Sequence, residues 1–540
     1  MTFIFRVFAN ERSGLGHLTR CALLAKKCCE LGFESKLVCD VLDQKHLSFA
    51  SGISIEGLYP NMPTFIDQMK DADLFIDICR LFQQHLKWVI VDHYMLDAAW
   101  ESAVKKNLNV KVLSIDDLMR EHECDALVDY RWRGASTNNA YKHKIPIYAA
   151  AFLGVRYAIM PQITEFSKSI RSSKKNDVFV ILISMGGGGD GVFIKQLLVA
   201  LAENIQVQSM TINFQVVIGP FMQNKTALLE ELSNLTRESS TDLIVTPLVG
   251  LNDLTEVITN CDLYLGAAGS VIYPLRAVNK PAITFAVADN QENDLQQLAD
   301  IGQYWHLNNL SLDDLPTLSA FVQEVITQYA RVQQLFSKAH VSIDDCGTER
   351  VARYLCFDEK ESLQSTISEL PLHAVKSDLH LEPVDDQDLV HYLLSRNRDA
   401  NRKNMLDNRP IPALHHFSWW LKTQRQSFKL VNPTNQTLLY IWHELKVVDS
   451  QSFLIGGWFV ADEGVGVQEA MFALDWQLRT CEKDYPDATW IAVINQRNKT
   501  VKRLNDYFGF KEITTSSRYY SIIKRLFPLA DQTEFFYVCK

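Results

Sequence analysis

The 540-residue chain has no block of like charge and no basic arm. With 54 Lys and Arg against 64 Asp and Glu its formal net charge is −10, which argues against a general nucleic-acid binder. No window approaches the roughly 18–20 uninterrupted apolar residues of a membrane-spanning helix, so no membrane partner is expected. Met1–Phe8 is too short for the apolar core of a secretory leader, and it runs into Asn10-Glu11-Arg12 rather than a small-residue cleavage site. The 11 cysteines are odd in number and contain no C-x-x-C pair; Cys28 and Cys29 are simply adjacent. Neither a zinc site nor a disulfide framework is indicated. The expectation from these absences is a reduced, cytoplasmic enzyme.

What remains is ordinary globular material, 47% apolar and 22% charged. The length allows roughly three or four domains of about 100–200 residues. One stretch organises the rest: Ser13-Gly14-Leu15-Gly16-His17-Leu18-Thr19-Arg20-Cys21. It follows the apolar run Phe3–Phe8 and opens a helical pattern, Leu18–Leu31, that stops at Gly32. Strand, glycine loop and helix together make a ready anion site, because the helix start offers unpaired N–H groups and partial positive charge. The loop also delivers a histidine suited to proton transfer near neutrality. The tripeptide Gly16-His17-Leu18 alone equally fits a tight turn with a surface histidine.

Further strands are expected at Ser35–Cys39, at Trp88–Val91 ending in Asp92-His93-Tyr94, and at Val110–Ile115 ending in Asp116-Asp117. Alternation of strands with helices predicts a parallel sheet covered on both faces, whose strand C-termini carry the ligand crevice. His17, Asp92, His93, Tyr94, Asp116 and Asp117 all fall at such ends. Each has a plainer reading: Asp92 as a helix cap, His93 as packing, Asp116-Asp117 as a turn. The acidic pair has no third ligand spaced to complete a metal shell.

The pattern then repeats. Val178–Ser184 is an uninterrupted buried-strand run, followed by Met185, Gly186-Gly187-Gly188-Gly189, Asp190 and a helix through Val192–Asn204. Leu263-Tyr264-Leu265 leads into Gly266-Ala267-Ala268-Gly269-Ser270 and another helix. Ala282–Val287 leads into Ala288-Asp289-Asn290-Gln291 and a helix through Leu295–Ile301. Two Rossmann-like halves with glycine loops at facing strand ends describe the GT-B architecture.

In series, Gly14–Cys21, Ile90–Tyr94, Ile115–Leu118, Leu153-Gly154 with Arg156-Tyr157-Ala158, Ser184–Gly187, Gly266–Ser270 and Ala288–Gln291 resemble the UDP-sugar hydrolases of pseudaminic acid biosynthesis over roughly residues 1 to 350. The resemblance implies release of UDP from a 2,4-diacetamido-2,4,6-trideoxyhexose without a metal. It implies that His17 activates the water attacking the anomeric carbon. Tyr94 and Asn290 would contact the sugar or orient that water, with Gly16, Arg20, Asp92 and Gln291 counted among the substrate-binding positions. Gly186, Gly187, Gly188, Gly269 and Ser270 would hold the diphosphate. One position departs: the acidic ribose-binding residue four places after Ser270 is Pro274 here.

Beyond a connecting segment the pattern changes. Leu389–Asn408 reads as helical, and Phe428–Val431, Thr437–His443 and Phe453–Phe459 as strands, the first two a hairpin. Gly464-Val465-Gly466 opens a helix over Gln468–Cys481, then come a strand Thr489–Val493, a helix Lys499–Tyr507 and a turn at Gly509-Phe510 to a last strand. This order resembles the GNAT acetyltransferases. Ser395-Arg396-Asn397, Arg402-Lys403-Asn404-Met405 and His416 with Trp419 resemble the aminosugar N-acetyltransferases of the same pathway. The resemblance implies acetyl-CoA as cosubstrate, with Gly464, Val465 and Gly466 on its pyrophosphate and Asn498 near the pantetheine. Two positions depart: Ala461 replaces the usual Gln or Arg, and Asn505 replaces the usual tyrosine acid. Tyr507, two residues on, points about 200° away on a helix.

The expected architecture is therefore α/β: a Rossmann-like domain at 1–155, a UDP-binding Rossmann-like domain at 156–350, a linker at 351–378 and a GNAT-like domain at 379–540. The expected function is bifunctional: N-acetylation of a UDP-4-amino-4,6-dideoxy-HexNAc, then hydrolysis of the product. The alternatives are a GT-B glycosyltransferase with an accessory GNAT domain, and a non-enzymatic UDP-sugar sensor, which a histidine placed at the cleft disfavours.

Overall fold

The computed structural model describes residues 1–9, 15–50, 52–164, 178–206, 210–222, 224–238, 243–288, 291–359, 378–461 and 465–540, without the side chains of 45 and 233–238. The chain forms two compact units, Met1–Ser368 and Glu369–Lys540. Among the described residues no helix is long and apolar enough to cross a membrane.

The first unit holds two parallel sheets. The first comprises β1 (Thr2–Val7), β2 (Glu34–Cys39), β3 (Ser54–Gly57), β4 (Leu86–Asp92), β5 (Lys111–Ile115), β6 (Ala126–Asp129) and β7 (Ala150–Leu153), in the order 3-2-1-4-5-6-7. The second comprises β8 (Val178–Ser184), β9 (Thr211–Ile218), β10 (Leu243–Val249), β11 (Leu263–Ala267), β12 (Ala282–Phe285) and β13 (Trp305–Leu307), in the order 10-9-8-11-12-13. Counted locally, both begin 3-2-1-4-5-6, so each is a Rossmann-type sheet whose order reverses between its first and fourth strands. β1 is buried at every position, as a continuous apolar run predicts for a strand covered on both faces.

The helix Gly16–Glu30 begins two residues earlier than the periodicity predicts, which puts His17 in its first turn. It buries Leu18, Cys21, Ala22, Leu24, Ala25 and Cys28 against the first sheet. The helix Gly191–Asn204 starts at Asp190, whose carboxylate accepts from the Val192 N–H at 2.9 Å.

The helix Gly347–Phe357 extends past residue 350, where the sequence alone suggested a linker. Val351, Ala352 and Leu355 are fully buried, so the apolar stripe of this last turn has a partner that local composition does not reveal. It belongs to the same core as the helix Gly16–Glu30. Thr348 is tied to the Met160 backbone, and the Lys87 ammonium donates to the Cys356 carbonyl at 2.5 Å.

The second unit is built on one mixed sheet: β14 (His380–Pro383), β15 (Gln426–Val431), β16 (Thr437–Val448), β17 (Gln451–Val460), β18 (Thr489–Asn495), β19 (Lys511–Glu512) and β20 (Phe535–Cys539), ordered 14-15-16-17-18-20-19. β17 and β18 are its parallel neighbours, and they pair over two positions, Phe453 with Thr489 and Leu454 with Trp490. Two sequence expectations are corrected here. Leu389–Asn408 is not one helix: it runs Leu389–Asn397, breaks at Arg398 (ψ 139°), and resumes as the short helix Asp399–Arg402. The Asn401 side chain donates to the Ser395 carbonyl at 2.7 Å, replacing a helical backbone bond across the break. The strand after Gly509-Phe510 is a two-residue edge, and a further strand, β20, inserts between it and β18.

Candidate active site

The reversal points of the two sheets decide which loops meet. β1 lies beside β4 in register, Val7 opposite Asp92, so the loop after β1 meets the end of β4. His17 and Arg20 lie three apart on one helix face, and both turn to Asp92. His17 Nδ1 is 2.6 Å from Asp92 Oδ1. Arg20 donates from Nε to Asp92 Oδ2 at 2.5 Å and from Nη2 to Oδ1 at 2.6 Å, a bidentate pair. Asp92 is fully buried. Burial alone would raise its carboxyl pKa, but the charges and hydrogen bonds of Arg20 and His17 hold it well below the usual carboxylate range. An ionised Asp92 accepts the proton on His17 Nδ1, which leaves Nε2 as the ring's lone pair. Among the described residues nothing hydrogen-bonds Nε2.

The walls around His17 are aromatic. The Tyr94 ring meets His17 edge to face at 4.6 Å and 87°, and Phe8 meets it at 5.6 Å. Tyr94 donates to both oxygens of Asp117, at 3.0 and 3.1 Å. The adjacent Asp116 and Asp117 thus part company. Both border the cavity, but Asp116 is buried and bound to Arg120 (2.8 Å) and Tyr141 (2.8 Å), while Asp117 is held by Tyr94. Burial works against ionising Asp116, yet His122 and Arg120 hold it low. His93 is structural: the Met95 N–H donates to its Nδ1, so its Nε2–H donates to Asp40 at 3.0 Å. Burial pushes its pKa down, which keeps it neutral. Among the described residues no group of three or more His, Cys, Asp or Glu side chains is arranged to hold a metal ion.

Across the cleft lie the glycine loops. Gly186 has φ +79°, a conformation that favours glycine. Gly266, next to last in β11, lies so close to β8 that a Cβ there would sit 2.0 Å from the Ser184 carbonyl oxygen. The loop after β8 therefore presents backbone at the N-terminus of the helix Gly191–Asn204, where N–H groups and partial positive charge favour anions. A cavity of about 740 Å³ joins the two sides, within the range of small-molecule sites. Of the predicted residues, Gly16, His17, Arg20, Tyr94, Gly186, Gly187, Gly188, Gly269, Ser270 and Gln291 line it. Asp92 stands behind His17 rather than on the wall. Asn290 lies outside the described residues. Pro274 lines the cavity within the helix Ile272–Ala277.

Sequence reasoning missed two neighbours. Tyr130 accepts from Arg20 Nη1 at 3.2 Å and meets Tyr273 edge to face at 5.0 Å. Arg131 reaches the loop after β12. The available signal was the acidic end of the Ala126–Asp129 run, too short to stand out as a strand.

The second unit has its own cavity, about 730 Å³, where β17 and β18 diverge. Its walls include Arg396, Asn404, His416, Trp419, Arg425, Trp442, Asn498 and Asn505. Asn498 caps the helix Lys499–Tyr507, its Oδ1 accepting from the Val501 N–H at 3.1 Å. The Gly466 N–H is engaged by Glu469 at 2.9 Å at the start of the helix Val467–Asp484. Val465 and Gly466 are not among the cavity's lining residues, and Gly464 lies outside the described residues. Tyr507 is 73% exposed, turned away as the helical spacing predicts, while Asn505 is buried.

No family model matches the chain. Among curated proteins it is similar to the UDP-2,4-diacetamido-2,4,6-trideoxy-beta-L-altropyranose hydrolase of Campylobacter jejuni subsp. jejuni serotype O:2, 24% identical over 208 residues. That stretch is 38% of this chain and 66% of the relative, just under two thirds of its length. Among solved structures it is similar to Staphylococcus aureus MnaA with UDP (TM-score 0.45, 14% identity, 67% of this chain and 99% of that one). It is also similar to a Vibrio cholerae spermidine N-acetyltransferase with CoA and spermine (TM-score 0.24, 12% identity, 31% of this chain and 96% of that one).

Proposed function

We propose that the first unit hydrolyses a UDP-linked 2,4-diacetamido-2,4,6-trideoxyhexose to free sugar and UDP, without a metal. The second unit, in this reading, N-acetylates the UDP-4-amino-4,6-dideoxy-HexNAc precursor with acetyl-CoA. The observation that carries the hydrolase is the buried His17–Asp92 pair at one strand-order reversal, facing the Gly186 and Gly269 loops at the other. The relationship to the Campylobacter hydrolase supports the substrate class. The chemistry follows from the pair. His17 Nε2 takes a proton from water as its oxygen attacks the anomeric carbon, and the bond from that carbon to the diphosphate oxygen breaks. Asp92 stabilises the imidazolium formed, and Arg20 fixes the carboxylate. The backbone of Gly186–Gly188, the helix start behind it and Gly269-Ser270 receive the charge on departing UDP. Gly16, Tyr94 and Gln291, which line the cavity, are assigned to the sugar, as Asn290 is by the sequence resemblance. With Pro274 unable to bind a ribose hydroxyl, that contact falls to other cavity residues such as the Leu251–Thr255 loop.

For the second unit, the support is the divergence of β17 and β18, which leaves unpaired backbone beside the cavity. An extended amide chain such as pantetheine can add there as a strand does. In this reading Gly464, Val465 and Gly466 are assigned to the acetyl-CoA pyrophosphate and Asn498, which lines the cavity, to the pantetheine. The test is mass spectrometry of products from UDP-4-amino-sugar and acetyl-CoA. Free CoA followed by UDP is expected. No CoA release overturns the acetyltransferase, and UDP release that requires a sugar acceptor makes the first unit a glycosyltransferase instead.

A further inference from the structure

We propose that Arg131 is a positioning residue that latches the cleft on its sugar side, an inference that rests on the hydrolase reading above. The segment after β6 spans the two halves of the first unit with three consecutive side chains. The Tyr130 ring meets Tyr273, in the first turn after the Gly269-Ser270 loop. Arg131 donates from Nη2 to the Glu292 carbonyl at 2.8 Å and to Asn293 Oδ1 at 3.1 Å. Trp132 donates from Nε1 to Asp300 Oδ2 at 3.1 Å.

The receiving loop is built for this contact. Buried His306 donates from Nε2 to Asn308 Oδ1 at 2.9 Å. Asn308 exchanges two bonds with the Asn293 backbone, accepting its N–H at 2.8 Å and donating to its carbonyl at 2.9 Å. Asn293 Nδ2 then donates to the Gln291 carbonyl at 2.6 Å, which leaves its Oδ1 for the arginine. Arg131 therefore meets an acceptor held by the core of the other half. Among the described residues its guanidinium hydrogen-bonds nothing in its own half, so the contact exists only when the halves are together. The loop it holds carries Gln291, on the cavity wall. Through Tyr130, which accepts from Arg20, the same segment touches the group that fixes the Asp92 carboxylate behind His17. Arg131 thereby sets where the loop stands relative to the base.

The test compares full-length protein with its Arg131→Ala and Arg131→Lys variants. The readouts are the Kd of UDP by calorimetry, kcat and KM for UDP release from the diacetamido sugar nucleotide, and hydrogen exchange of residues 291–300 with UDP bound. For Arg131→Ala the expectation is a UDP Kd within twofold, kcat/KM at least tenfold lower, and exchange in 291–300 at least fivefold faster. Arg131→Lys, which keeps a donor, recovers most of both losses. Unchanged exchange or unchanged kcat/KM overturns the proposal, and so does an equal weakening of UDP itself. If unmodified protein releases no UDP, the hydrolase reading falls, while the exchange comparison still decides whether Arg131 holds the loop. Should the alanine variant fail to fold, Arg131→Gln carries the same comparison.

Discussion

His17 and Asp92, 75 residues apart in the chain, share one hydrogen bond of 2.6 Å, and Arg20 grips the other side of the same carboxylate. The arrangement separates two jobs. Asp92 is sealed from solvent and orients; His17 keeps one nitrogen for the cleft.

His17→Ala therefore removes the proposed base, and UDP release is expected to fall by about 10²–10⁴, the usual worth of positioned proton transfer. The N-acetylation proposed for the second unit is expected to stay intact. Asp92→Asn keeps the shape but permits the wrong tautomer, and an effect of comparable size is expected. UDP release that survives His17→Ala removes His17 from the mechanism.

Arg20→Ala tests the carboxylate from its other side. It leaves a buried charge with only His17 and the weak Cys21 thiol donor as partners among the described residues, and removing one partner of a buried pair costs about 3–5 kcal/mol. Thermal melting reads this as a large drop in Tm. A Tm within 1–2 °C of the parent would show that Asp92 does not depend on Arg20.

Gly188 and Gly266 should respond in opposite ways. A Cβ at Gly188 meets nothing within 4 Å, so Gly188→Ala leaves Tm nearly unchanged but places a methyl in the proposed diphosphate loop and weakens UDP binding. Gly266→Ala collides with the Ser184 backbone and costs at least the 1–3 kcal/mol typical of overpacking, roughly, because backbone cannot swing aside. Calorimetry with UDP and a melting curve separate the two outcomes.

His122 gives the fold a pH dependence on the alkaline side. Burial lowers its pKa, but hydrogen bonds and charge from Asp116 and Glu101 outweigh that and push it up to about 9. A raised value means the folded state holds the proton more tightly than the unfolded chain. The contribution is complete below the unfolded value, about 6.5, and is lost as pH rises through about 9. Melting temperatures should fall between these limits, and His122→Gln should flatten that slope. A slope that persists in the variant assigns it elsewhere.

Omission of metal is the remaining check. UDP release is expected to proceed fully in EDTA, since in the proposed mechanism His17 and the loop backbones supply the base and the charge stabilisation. Strict dependence on an added divalent cation would contradict that mechanism.

Much of this site was legible because its residues follow unmistakable strands. Val178–Ser184 and Trp88–Val91 are apolar runs that end abruptly in glycine or acid, so Gly186 and Asp92 could be placed at strand ends by local pattern. The four-residue strands β3, β6 and β7 carry too few apolar positions to show a period, and with β6 went Tyr130 and Arg131. Asp116 and Asp117 look alike in sequence, yet one turns inward to Arg120 and the other to Tyr94. The last turn of Gly347–Phe357 looked like linker because its apolar stripe is short, and only its packing partner makes it core.

The sequence by itself determined the chemistry available: a histidine in a glycine loop, an acid at a strand end, and glycine loops ahead of helices. Those signals are local, set by backbone permissiveness and the two hydrophobic periods. Only the tertiary structure decided which of them meet. Parallel strands pair through long-range packing, not neighbouring residues, and the order 3-2-1-4 is what sets β1 beside β4 and turns His17 onto Asp92.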